Sequence, residues 1–334
     1  MRMRSARVAL GVAAAAVWAA GACSLAEVAA PAGDDTLVVE AVLRTDHLEQ
    51  LVLLHRSIVG STVRGEPGAR VTLTRDDGAA LTLRQAPDGV CTFVDPGYFT
   101  SDSVQVHATC YTTEGSGVPV PPGQPQPAFV VPGRTYLLRV ETARGEVAQG
   151  RTRVPGGFHL GFPLGLPGPD HVPHCALPAD TNVTLTWSRA DSAWSYLARM
   201  QVDGLGEALR ARGDSVGGVV PNPFELLGLS ISAADTTVVL PREFGVFDRL
   251  TQNLDVLRIL QRGFPAGLRV SLIVAAADRN YVNSIRGGRF NPSGQARISS
   301  IVGSGVGVFG SLVPLYAVVD VREPGPGDAP CLPL

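Results

Sequence analysis

Lysine is absent from this chain: all 28 basic residues among its 334 are Arg. That excludes every chemistry built on a side-chain amine. A P-loop has no Lys to grip its phosphates, a kinase-type site has no catalytic Lys, and neither a Schiff base nor a Ser-x-x-Lys acylation site can form. Charge is scarce too, at 17% of residues, and aromatics reach only 6%. Long solvated helices are therefore not expected. The six His are scattered, and no H-E-x-x-H zinc motif occurs. What the chain has in quantity is turn-forming residues, 38 Gly and 26 Pro.

The first residues read as an address. Arg2, Arg4 and Arg7 precede an apolar run from Val8 to Ala20, then Gly21, Ala22 and Cys23. A basic start, a short apolar run and a small-residue site make a secretory signal peptide over 1–22. The tetrapeptide Ala20-Gly21-Ala22-Cys23 resembles the lipobox of bacterial lipoproteins, with Ala20 where that motif usually has Leu. The resemblance implies that the Cys23 thiol is acylated and becomes the mature N-terminus. Ser24 after it implies retention at the outer membrane. Two or three acyl chains anchor stably where one does not. Removing residues 1–22 takes away three Arg and no acid, so the formal charge falls from −2 to −5. Nucleic acid is therefore not an expected partner.

Four further cysteines remain: Cys91, Cys110, Cys175 and Cys331. An even number in an exported chain predicts two disulfides, and three pairings are possible. Sequence proximity favours Cys91–Cys110, leaving Cys175–Cys331 to tie the Pro-rich C-terminus to the body.

Residues 23–35 read as a flexible tether. Period-two alternation then begins in Leu37–Leu43 and returns around Val71, Leu81 and Tyr136–Glu141. Asp76-Asp77-Gly78 predicts a hairpin turn, and Ala143-Arg144-Gly145 another. Five Gly and four Pro fill 156–173, the expected linker. Beyond it, strands are expected at Val183–Trp187, Trp194–Val202, Leu226–Ser232, Thr236–Leu240, Arg269–Ala277 and Leu312–Val321. One helical period, Phe247 to Leu260, interrupts them. The expected fold is mainly β: two antiparallel, immunoglobulin-like β-sandwich domains, 36–155 and 174–334, with one short helix in the second.

Several motifs have structural readings. Gly305 to Gly310 spells G-x-G-x-x-G, but β-rich sequence follows where a dinucleotide site needs a helix, so the glycines mark a strand that bends or packs backbone-close. Arg212-Gly213-Asp214-Ser215 matches an adhesion tetrapeptide and reads as a polar turn. Asp170-His171-Val172-Pro173-His174-Cys175 gathers metal-ligand types, yet Pro173 forbids a helix that would present both His. No metal or cofactor is expected.

One pairing stands apart. The polar tetrapeptide Asp278-Arg279-Asn280-Tyr281 ends an apolar strand, and the glycine-rich Gly303–Ser311 follows. With the lipobox, the Leu37–Leu43 strand, Pro132–Leu138, Leu185–Trp187 and the late Gly-x-Gly-Val-Phe-Gly-Ser, the chain resembles a family of bacterial envelope lipoproteins known only as a domain of unknown function. Its members are often encoded beside TonB-dependent outer-membrane transporters. The resemblance implies an accessory or binding role at the outer membrane, with a transporter as possible partner, and brings no catalytic residues. Asp278, Arg279, Asn280 and Tyr281 are the candidate binding loop. The alternatives are a periplasmic hydrolase of saccharide or peptide with a loop-assembled site, and a structural spacer.

Overall fold

A computed structural model describes residues 35–57, 64–87, 108–113, 128–161, 172–229, 232–242, 254–286 and 298–331. The expected signal peptide and residues 23–34 of the expected tether, with Cys23, lie outside these residues, as do Cys91, Asp170 and His171. The described part is mainly β, dominated by one large mixed sheet, with three short helices. No helix among the described residues is long and apolar enough to cross a membrane.

Fifteen strands follow in chain order: β1 Leu37–Arg44, β2 Leu51–Arg56, β3 Arg70–Arg75, β4 Ala80–Gln85, β5 Thr109–Thr112, β6 Thr135–Glu141, β7 Val147–Arg153, β8 His174–Leu177, β9 Val183–Thr186, β10 Ser195–Asp203, β11 Phe224–Leu229, β12 Thr237–Leu240, β13 Arg269–Ala277, β14 Ile301–Gly303 and β15 Gly305–Val321. The helices are α1 Leu205–Arg212, α2 Leu254–Leu260 and α3 Arg279–Arg286. The large sheet runs β11-β10-β13-β15-β1-β2-β5-β4-β3-β6-β7-β14, with β8 also on β15. β9 and β12 pair separately.

The alternation in β1 sends Leu37, Val39, Ala41 and Leu43 into the core, as a period of two requires. Each of the Leu and Val side chains among them, fully buried, contributes about 1.5–3 kcal/mol. The hairpins at Asp76–Gly78 and Ala143–Gly145 form as the turn residues predict, with Gly78 and Gly145 at positive φ. Other expectations need correction. The sheet is not wholly antiparallel, because β15 runs parallel to both β1 and β8. Strands on either side of 156–173 share ladders, β1 with β15 and β7 with β14, and Asp35–Leu334 form one compact unit. Among the described residues there are three helices where a single one is expected. Of the helical period Phe247–Leu260, only α2 is described, where Val256, Leu257 and Leu260 are buried.

β15 organises the molecule. Its glycines let other backbones touch it. A Cβ on Gly307, whose φ is +132°, would collide with the Val39 carbonyl, and one on Gly310 would sit 2.7 Å from Tyr281 Cβ. Glycine is the residue that tolerates both the backbone angle and the approach. Across from them, a Cβ on Gly150 of β7 would lie 2.8 Å from Phe309 Cβ. β7 therefore packs directly on β15, and the ladder curls back on itself around Tyr136, Leu138, Ala148 and Phe309. The opposite face of β13 and β15 carries a smaller cluster, Ala275, Ala277 and Leu312 under Tyr281 and Val282 of α3.

Candidate functional site

Asp278 ends β13 and caps α3. Its Oδ1 accepts the Tyr281 and Ser311 backbone N–H groups, each at 3.0 Å, and its Oδ2 accepts the Thr152 hydroxyl at 2.7 Å. An Asp whose carboxylate takes the N–H three residues on is the preferred helix N-cap. Burial pushes its carboxyl above the usual range, opposed by the hydrogen bonds from Tyr281, Thr152 and Ser311. Asn280 Nδ2 donates to the Arg151 and Phe309 carbonyls, at 2.8 and 2.9 Å, bridging β7 to β15. Tyr281 is buried against Gly310.

The tetrapeptide and the glycine-rich segment thus meet, as their pairing in sequence suggests. Their meeting is not a loop but a helix start welded to two strands. Three of the four residues are engaged in that joint. Arg279 alone turns outward, its guanidinium 5.2 Å from the ring centre of Trp194, itself 45% exposed. The alternation reading puts Trp194 in the buried stripe with Tyr196 and Met200. It instead precedes β10, with its N–H donating to Ala277, and its ring stacks under Arg279. An Arg over an exposed indole is held by cation–π attraction and leaves its guanidinium open to planar or anionic groups.

The remaining motifs resolve structurally. Cys175 and Cys331 are bonded, S–S 2.00 Å, as expected. Cys110 is also disulfide-bonded, while Cys91, its expected partner, lies outside the described residues. His174 Nδ1 meets Asp320 Oδ2 at 3.0 Å. Among the described residues no group of three His, Cys, Asp or Glu side chains is placed to hold a metal. Arg212 to Asp214 closes α1: Gly213 is the left-handed C-terminal residue, Arg212 pairs with Asp180 and Asp214, and Arg262 reaches Asp214 at 2.8 Å. Read on to Gly217, this stretch also spells G-x-S-x-G. A nucleophile elbow opens a helix, whereas this one follows a helix end.

Two arrangements had no clear sequence signal, because their members are far apart in the chain. Arg56, 1% exposed, donates from Nε to Glu66 and from Nη2 to Glu146, both at 2.5 Å, and from Nη1 to the Asp35 carbonyl at 3.0 Å. Hydrogen bonds to Glu146 and then Glu66 hold its guanidinium charged, and the Arg56 bond in turn lowers the Glu146 carboxyl. Second, His159 Nδ1 lies 3.1 Å from Ser188 Oγ, on two segments outside the strands that an isolated bridge joins at Leu160 and Trp187. A shallow depression of about 280 Å³ on α1 and the segment after it, lined by Arg210, Val216 and Val219 among others, shares no residue with Asp278–Tyr281.

No family model matches this chain, and no curated protein does.

Proposed function

We propose that this is an exported, lipid-anchored protein of the bacterial outer membrane, acting as a non-enzymatic binding or accessory module, with an outer-membrane transporter as its partner. The observation that carries this reading is the Arg279–Trp194 pair. It is an exposed recognition surface mounted on a tied joint of the fold, where Asp278, Asn280 and Gly310 fix α3 to β7 and β15. Rigid mounting keeps the entropy lost on binding small. The resemblance to envelope lipoproteins, resting on Cys23, Pro132–Leu138 and Gly305–Ser311, supports the location. In the same reading the curled sheet is a sandwich, with β3, β4, β6 and β7 as one layer and β1, β15 and β13 as the other. Packing of Gly150 on Phe309 supports that arrangement.

The test is affinity capture from detergent-solubilised envelopes using the mature chain, alongside Arg279→Ala and Trp194→Ala. A transporter held by the parent chain and released by both variants is the expected result. Equal capture by all three would overturn the assignment of that surface.

The Ser188–His159 contact favours a second reading, a hydrolase, since a hydroxyl within reach of an imidazole is the beginning of a nucleophile–base pair. Ser188 Oγ also accepts the His159 N–H at 3.0 Å, which occupies it structurally. Loss of an esterase or peptidase activity in Ser188→Ala, with stability kept, would establish this reading instead.

A further inference from the structure

The described fold begins at Asp35, and one end of the sheet gathers there. Leu37 pairs with Gly305 and Val38 with Val306. The Ser304 N–H donates to the Val147 carbonyl at 2.8 Å. The Asp35 carboxylate takes Arg64 at 2.6 Å and Arg144 at 2.8 Å. The first described residue, the β6–β7 turn and the β14–β15 turn therefore lie side by side.

The β14–β15 hairpin sends Ile301 inward and Val302 and Val306 outward, 66% and 45% exposed. Ile298, just before it, is 67% exposed. From Ile298 to Val319 the sequence holds no charged residue. A single exposed aliphatic side chain is ordinary, whereas Ile298, Val302 and Val306 fall within nine residues of uncharged chain, the last two flanking the turn at the Asp35 end of the sheet, and such a concentration asks for a partner. The half-exposed guanidinium groups of Arg64 and Arg144 stand at the same end.

The chain outside the described fold decides among partners. Cys23 and Asp35 are separated by the short segment Ser24–Asp34, and a dozen peptide units reach at most about 40 Å. An acyl anchor on Cys23 would hold this end of the sheet within that distance of the bilayer at high effective concentration. We infer that Ile298, Val302 and Val306 form a membrane-contact face that seats this end of the fold on the bilayer carrying the acyl chains. The inference rests on the lipid-anchor reading above. The aliphatic side chains enter the interface, and Arg64 and Arg144 lie at headgroup level, where anionic lipid attracts them.

The missing lysines make the test clean. Val302→Lys, Val306→Lys and, as control, Val219→Lys, at a position 90% exposed, each introduce the only side-chain amine. An amine-reactive, environment-sensitive dye then reports one position, with the unsubstituted mature chain as the blank for the α-amino group. Each chain is studied twice on vesicles of phosphatidylcholine and phosphatidylglycerol: as processed by the cell, and with the Cys23 thiol coupled to a maleimide lipid. The expected result is blue-shifted emission, dimmed by an acyl-chain quencher, at 302 and 306 but not at 219. Unshifted emission at 302 and 306 on the chemically anchored chain would overturn the contact face. A cell-processed chain that leaves the vesicles, beside a shift on the coupled one, would overturn the anchor and leave the face standing. A shift that follows protein concentration and ignores the quencher would assign the patch to a second copy of the chain and overturn the proposal.

Discussion

The Asp278 carboxylate accepts the backbone N–H of Ser311, 33 positions along the chain, at 3.0 Å. Through that bond the cap of α3 is also the tie between β13 and the middle of β15. Asp278→Ala leaves the Tyr281 and Ser311 N–H groups buried without an acceptor, an expected loss of about 2–4 kcal/mol by urea denaturation. Asp278→Asn keeps the accepting oxygen, and its amide donates to Thr152 in place of the bond it loses, so it should stay within about 1 kcal/mol of the parent.

The same pair of chains predicts a pH effect of defined sign. Because the folded carboxyl of Asp278 sits above its unfolded value of 3.8, the native state holds that proton longer. This contribution is present at low pH and lost as pH rises through the folded value. Stability of Asp278→Asn relative to the parent should therefore rise as pH increases from 3 to 7. Asp77 behaves oppositely: hydrogen bonds from Arg75 and Ala79 hold it down to about 2, so its contribution is present above 3.8 and lost as pH falls toward 2. Asp77→Asn should lose ground against the parent over the interval from about 2 to 3.8. Denaturant midpoints across pH for the three chains check both signs.

Arg56 is the buried centre of the ionic cluster where the chain enters β1. Arg56→Met leaves Glu66, itself 5% exposed, without its cation. The expected cost is about 3–5 kcal/mol, because an uncompensated buried charge is worse than none. The double variant Arg56→Met/Glu66→Gln should recover part of that loss, since it removes the stranded charge.

At Gly307 a side chain meets the Val39 carbonyl within the β1–β15 ladder, at a φ of +132°. Gly307→Ala should cost about 3 kcal/mol or more and lower the soluble yield. Gly78→Ala, also at positive φ but in open space, should cost about 1–2 kcal/mol. Thermal melts of the two variants separate backbone strain from collision.

Much of the sheet was legible because alternation is local: Leu37–Leu43, Tyr136–Glu141 and Arg269–Ala277 are strands where a period of two puts them. The parallel pairing of β1 with β15 was not, since nothing near Leu37 encodes a partner some 270 residues away. α3 is hard to see in the sequence because its apolar positions are few, although Asp278 before it and Gly287-Gly288 after it are cap signals. That the tetrapeptide and the glycine segment belong together is legible in the sequence, whereas a buried cap and a ligand group look alike there. That distinction depends on Thr152, which β7 supplies from far upstream. Trp194 escaped the buried stripe because the strand starts one residue later than the alternation implies.

The most direct test of the account is the intact mass of the membrane-extracted mature chain, read with its reactivity toward an amine dye. The account predicts a chain beginning at Cys23, heavier than its residues by the mass of its acyl groups. With no lysine in the sequence, full acylation also leaves it nearly unreactive to the dye. An unmodified mass, or a start elsewhere with one strongly labelled α-amino group, would contradict it.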